Sequence, residues 1–238
     1  MKYILKVMRF DFLTARPLAL RTFIVVAVIF FLLGLFYAPL ICSYITFGAM
    51  VFVIPLQTVA EKSGFHKLYG MLPVRRRNIT RARFLYIFLM HFAAEMLELV
   101  LAVTAMSLKL YRVLPNQNGE IMQLVKESFK DTKLTLLIII GMFTIFCLIF
   151  SYMEMMGQIC GRENELKIVM ITVGIITVLL LGFLILSEHG IIPIIKLPSL
   201  PDTVRGMLIV GAALNAAMLG LCLLFGEITA GKLAKREL

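Results

Sequence analysis

From residue 22 to residue 60 the chain carries no charged side chain. Those 39 residues, rising about 1.5 Å each in a helix, would extend nearly twice the roughly 30 Å of a bilayer's hydrocarbon core. One span cannot hold them. Gly34 and Pro39 offer a break, which predicts span 1 at about 19–37, a tight turn at Ala38 and Pro39, and span 2 at about 40–60. Four further apolar runs follow, at 84–108, 134–153, 168–187 and 206–226. The last three are free of charge, whereas span 3 carries His91, Glu95 and Glu98. The predicted fold is therefore all-α and polytopic, a single membrane domain over 1–238 with six transmembrane helices.

Composition agrees with this reading. Of 238 residues, 61% are apolar and 16% charged, against roughly 45–50% and about 25% in soluble domains. A water-soluble globule is excluded, and six spans leave little chain for a soluble domain. The net charge of +10 does not point to nucleic acid, because the basic residues flank the apolar runs and form no soluble basic face. Anionic headgroups and membrane orientation explain it better. With six spans both termini lie on one side, and that side holds 17 of the 24 Lys and Arg residues, so the termini are expected in the cytosol of a cell-membrane protein. No small-residue cleavage site follows the first apolar run, and the N-terminus is expected to be retained. Tyr37, Tyr86, Tyr111 and Tyr152 fall near span ends, where they would form an interfacial belt or simply pack.

The connecting segments differ in character. Before span 1, Lys2, Lys6 and Arg9 alternate with Tyr3, Ile4, Val7, Met8, Phe12 and Leu13, the pattern of an in-plane amphipathic helix. Residues 112–133 form a polar loop with a turn signal from Pro115 to Gly119, followed by a short helix through Phe129. In 189–205, Pro193, Pro198 and Pro201 interrupt an apolar stretch that is expected to be partly re-entrant and shielded by protein. The link at 61–83 is the most informative. Phe65, Leu68, Tyr69 and Leu72 stand at i, i+3, i+4 and i+7, giving a short helix an apolar stripe that needs a cover. Pro73 ends it, and Arg75, Arg76 and Arg77 lead into span 3. These residues describe either a headgroup-bound basic loop or a docking helix for a cytosolic partner.

The run from Glu61 to Tyr69, then Leu72-Pro73-Val74-Arg75-Arg76-Arg77-Asn78-Ile79 and Arg83-Phe84-Leu85, resembles the link between spans 2 and 3 in permease subunits of type 2 ATP-binding-cassette exporters. Six spans, cytosolic termini, the amphipathic N-terminal helix and the re-entrant segment extend the likeness over nearly the whole chain. Within that family the chain is most similar to permeases exporting amphipathic peptide toxins of the phenol-soluble-modulin type. The resemblance implies a coupling helix at residues 61–72 that enters a groove on a separate ATPase, with Phe65, Leu68, Tyr69, Leu72, Arg75 and Arg76 in contact. It also implies a second permease copy or paralogue, with ATP and magnesium bound on the ATPase chains and no cofactor here. The alternative is a non-transporting scaffold or sensor that docks a cytosolic partner.

No catalytic or metal site is expected on the chain itself. Cys42, Cys147 and Cys222 lie in apolar runs and Cys160 in a connector, without a CxxC pair. There is no HExxH or GxSxG, and Asp11, Asp131 and Asp202 fall outside the six predicted spans. Residues 226–232 match the first seven positions of a phosphate loop, but Leu233 replaces the hydroxyl that would hold magnesium, and no strand precedes them. His91, Glu95 and Glu98 occupy i, i+4 and i+7 on one helix face, with Glu95 about 18 Å along the helix from Arg83. A charge at that depth costs about 2.5–3.5 kcal/mol, so it should meet a partner or a wet cavity. Three readings stay open: an internal His–Glu contact with neutral carboxyls, the lining of a translocation path, or a proton relay. Glu154 is expected at the rim of span 4, beside gap-filling Met153, Met155 and Met156.

Overall fold

The computed structural model of the chain describes residues 2–62, 76–113, 120–188, 201 and 203–235. Among them all regular structure is helical: α1 (Lys2–Phe36), a 3-10 turn at Pro39–Tyr44, α2 (Ile45–Lys62), α3 (Arg76–Leu108), a second 3-10 turn at Leu110–Val113, α4 (Glu120–Ser128), α5 (Thr132–Cys160), α6 (Arg162–Glu188) and α7 (Val204–Ala234). Six of these segments are long and apolar enough to cross a membrane, counting α2 with the turn that precedes it. The protein is all-α and polytopic.

The charge-free run breaks at Ala38 and Pro39, as expected, and Gly34 stays inside the helix. The α1 helix continues to Phe36, Ala38 is extended, and Pro39 opens the 3-10 turn, where its missing N–H leaves no helical bond unmade. Gly34 serves close approach instead. A Cβ there would lie 2.6 Å from the Cys42 sulfur, and one at Gly48 would lie 2.8 Å from Val26 Cγ1. Helices in lipid gain little from burying apolar area, so such small-residue contacts hold α1 against the segment that follows it.

The N-terminal segment also differs from expectation. It is not a separate anchor but the first half of α1, continuous through Pro17. Val7, Met8, Ala15 and Ala19 pack with Phe52, Leu56, Ala82 and Tyr86. Asp11 falls on the same stripe and is fully buried. The apolar positions that suggested contact with lipid are thus used in part to seat α1 on α2 and α3. The remaining face still presents Tyr3, Leu5, Phe10 and Leu13 outward.

The centre of the bundle is α3, which packs against α1, α2, α5 and α7; α6 packs mainly on α5. Ion pairs bring the start of α3 to the ends of α5 and α7, and the Val7–Tyr86 cluster adds the start of α1 and the end of α2. These termini share one end of the bundle. At the other end the Tyr111 and Phe129 rings meet at a tilt with centroids 4.5 Å apart, and the Asp131 side chain caps α5 by accepting from the Leu134 N–H at 2.9 Å. The expected short helix before Phe129 is α4. Tyr86 is no belt residue: it is buried and donates to the Phe52 carbonyl at 3.3 Å. Residues 189–200, and with them most of the expected re-entrant stretch, lie outside the described residues.

Candidate functional site

Within α3, His91, Glu95 and Glu98 are all buried, at 0%, 1% and 0% exposure. Burial inside protein is what polar groups at this depth require, since lipid offers them no partner. Their directions diverge, however. His91 Nδ1 lies 2.9 Å from the Ile87 carbonyl one turn back, which assigns the ring proton to Nδ1 and leaves Nε2 an acceptor without a partner. Its ring sits 5.4 Å from that of Phe150 on α5. Glu95 turns toward α7, where Oε2 accepts from Asn215 Nδ2 at 2.8 Å. Glu98 turns toward α2, where Oε1 accepts from the Thr46 hydroxyl and Oε2 has no hydrogen-bond partner. The anticipated His–Glu contact is therefore not made. A single helix face supplies three polar groups to three different neighbours, because a stripe on a central helix meets several helices.

Nearer the end that carries the termini, Arg83 Nη1 approaches Glu154 Oε1 at 3.4 Å, with 6% and 2% of the two side chains exposed. Gln158 Nε2 donates to the same carboxylate oxygen at 2.5 Å. Glu154 is thus an interior residue and not the rim residue that its position in span 4 suggests. Its carboxylate is drawn inward because α3 offers a guanidinium at the matching level. At the very end, Glu227 of α7 accepts from Arg77 Nε at 3.0 Å and Nη2 at 2.6 Å, and also from Arg81 Nε. This cluster is partly exposed, with 63% of the Arg77 side chain in the open, so solvent screening limits its worth.

Between α3, α5 and α7 lies a part-open cavity of about 410 Å³. Phe88, Phe92 and Leu219 give it apolar walls, Ile140 lines its α5 side, and Glu95 and Asn215 are its polar groups. Gly211 lets α7 come close to α5 there: an added Cβ would lie 2.7 Å from Ile140 Cδ1. Deeper toward the termini, Cys147 and Cys222 meet at 3.8 Å between sulfurs, and Ser151 Oγ lies 3.2 Å from Cys222 Sγ. All four cysteines are free thiols.

Of the residues expected to couple to an ATPase, Phe65, Leu68, Tyr69, Leu72 and Arg75 lie outside the described residues, and Arg76 opens α3. Residues 226–232 lie within α7, so the phosphate-loop likeness has no loop to form it. Among the described residues no group of three His, Cys, Asp or Glu side chains is placed to hold a metal ion. Thr46 and Asn215 escaped the sequence reading. Asn215 left a usable signal, as the one amide in an otherwise apolar span; Thr46 left none, because a threonine in a helix commonly bonds its own backbone.

No protein-family model, curated protein or solved structure matches the chain.

Proposed function

We propose that this chain is the membrane subunit of an ATP-driven exporter of the type 2 ATP-binding-cassette class, moving amphipathic peptides out of the cell. In this reading it lies in the plasma membrane with both termini in the cytosol, beside a second permease copy or paralogue and two separate ATPase chains. The observation that carries the proposal is where the coupling-like segment joins the bundle. Residues 61–72 begin at the end of α2 and lead into α3, the helix that touches most of the others. A push delivered there would reach α7 through Arg77, Arg81 and Glu227, and α5 through Arg83 and Glu154. His91, Glu95 and Glu98 stand farther along the same helix as candidate path residues, and no catalytic group is needed on this chain.

The test is coexpression with an ATP-binding-cassette ATPase encoded beside this chain, followed by copurification and ATP-turnover assays. The expected result is a stable complex whose assembly or coupling is weakened by Phe65→Ala with Tyr69→Ala while membrane insertion stays normal. No complex with the unaltered chain, or assembly and transport unchanged by the double substitution, overturns the reading.

A further inference from the structure

The cavity between α3, α5 and α7 carries a second inference. Its walls are apolar and aromatic, its volume of about 410 Å³ suits a small molecule, and its polar groups are few and convergent. Both polar groups offer hydrogen-bond acceptors. The Glu95 carboxyl is an acceptor when ionised, and Asn215 gives one Nδ2 hydrogen to Glu95 while its Oδ1 has no hydrogen-bond partner. A buried acceptor left unmet is costly, so an occupant that brings N–H donors is favoured over a lipid tail that brings none. Charge points the same way. Residues 84–108, 134–153 and 206–226 of the three helices contain no Lys or Arg, while α3 brings two carboxyls, Glu95 and Glu98, to adjacent turns. Phe88 and Phe92 stack at 5.7 Å beside Glu95 in the wall and offer ring faces of the kind that attract cations.

We propose that this cavity binds an amphiphile bearing a protonated amine, its ammonium held by Glu95 and Asn215 and its apolar body lying along Phe88, Phe92 and Leu219. The inference deepens the export reading by naming the cargo's chemistry, and it rests on that reading only for the direction of movement. Binding itself needs no ATPase, so failure of coupling and failure of this site are separate results.

The probe is a diazirine-bearing alkyl primary amine, with the matching alkyl alcohol as its neutral control. Both are added to the purified full chain in phosphatidylcholine nanodiscs, which contain no anionic lipid. Photolabelled peptides are then located by mass spectrometry. The amine is expected to label the α3 and α7 segments around Phe92 and Leu219, with excess unlabelled alkylamine displacing it and excess alkanol failing to do so. Glu95→Gln should lower amine labelling about tenfold, the worth of one charge-assisted hydrogen bond, and leave alcohol labelling unchanged. Ala216→Phe, which fills the cavity from α7 without touching the charge, should lower both. Equal labelling by amine and alcohol, or equal displacement by alkylamine and alkanol in the unaltered chain, overturns the proposal without reliance on any variant. Undiminished amine labelling in a well-folded Glu95→Gln chain does the same.

Discussion

The α3 and α6 helices are both long enough to span a bilayer, yet they occupy opposite positions in the bundle. The more polar α3 lies at the centre, touching four other spanning helices. The charge-free run of α6 lies at the edge against α5, with Ile171, Ile175, Val178 and Leu179 each more than half exposed. In water the more apolar helix would be the buried one. In lipid the order reverses, because hydrocarbon solvates Ile and Leu as well as a protein core does, whereas a carboxyl, an imidazole or a guanidinium finds partners only among other helices. Between these two helices the polar span holds the centre and the unbroken apolar one the edge; α5, charge-free over 134–153, also touches four spanning helices, so apolarity alone does not send a helix to the edge.

The largest effect that would test this contrast is at the Arg83–Glu154 pair joining α3 to α5. Glu154→Gln removes the carboxylate from a nearly buried ion pair, and a loss of about 3–5 kcal/mol is expected. Thermal unfolding in detergent and resistance to proteolysis should both report it. Replacing both partners, Arg83→Met with Glu154→Met, should recover part of the loss, since both charges of the pair leave the interior together. If the single and double variants were equally damaging, the pair would be ordinary packing and the centre would owe nothing to polarity.

Much of the fold was legible in the sequence, because it follows from local properties. Six apolar runs gave the spans, Pro39 ended the first, and the polar stretch before Phe129 held α4. The N-terminal stripe was legible as amphipathic, but its apolar side has two possible covers, headgroups or neighbouring helices, and only the fold selects α2 and α3. Gly34, offered beside Pro39 as a possible break, lies inside α1, where its lack of a side chain admits Cys42. At the candidate site, the burial of His91, Glu95 and Glu98 followed from depth alone. Their partners did not: Thr46 lies 52 residues from Glu98, and Asn215 lies 120 residues from Glu95. Helical spacing says which residues share a face, not which helix that face meets. Glu154 misled for the same reason, as a rim position by sequence becomes interior once Arg83 stands opposite.

A smaller but still large effect comes from placing a charge on the edge helix. Ile175 sits midway along α6 and is 56% exposed, facing away from the described protein. Ile175→Lys should disfavour insertion of α6 by about 2.5–3.5 kcal/mol if that face meets hydrocarbon. Glycosylation mapping of the inserted fraction is the appropriate measurement, with Ile175→Leu as a neutral control. Unimpaired insertion of the lysine variant would mean that α6 faces water or an acidic neighbour, and the contrast with α3 would fail at its edge.

The smallest effect concerns how α6 is held at all. Tyr152 on α5 and Thr172 on α6 share a hydrogen bond at 3.0 Å, and Thr172 also donates to the Ile168 carbonyl of its own helix. The Thr172 hydroxyl can accept from Tyr152 while it donates to Ile168, so its own local bond survives when α6 detaches and only the inter-helix bond is lost. Hydrogen bonds between membrane helices average about 0.6 kcal/mol when the unfolded-in-membrane state finds other partners. Tyr152→Phe and Thr172→Val should therefore each lower stability only slightly, with a coupling of about that size in a double-mutant cycle. Unfolding in mixed detergent, read from all four proteins of the cycle, measures it. A coupling several times larger would make α6 a helix recruited by polarity, as α3 is; a coupling near zero would leave its position to shape and lipid alone, sharpening the contrast between edge and centre.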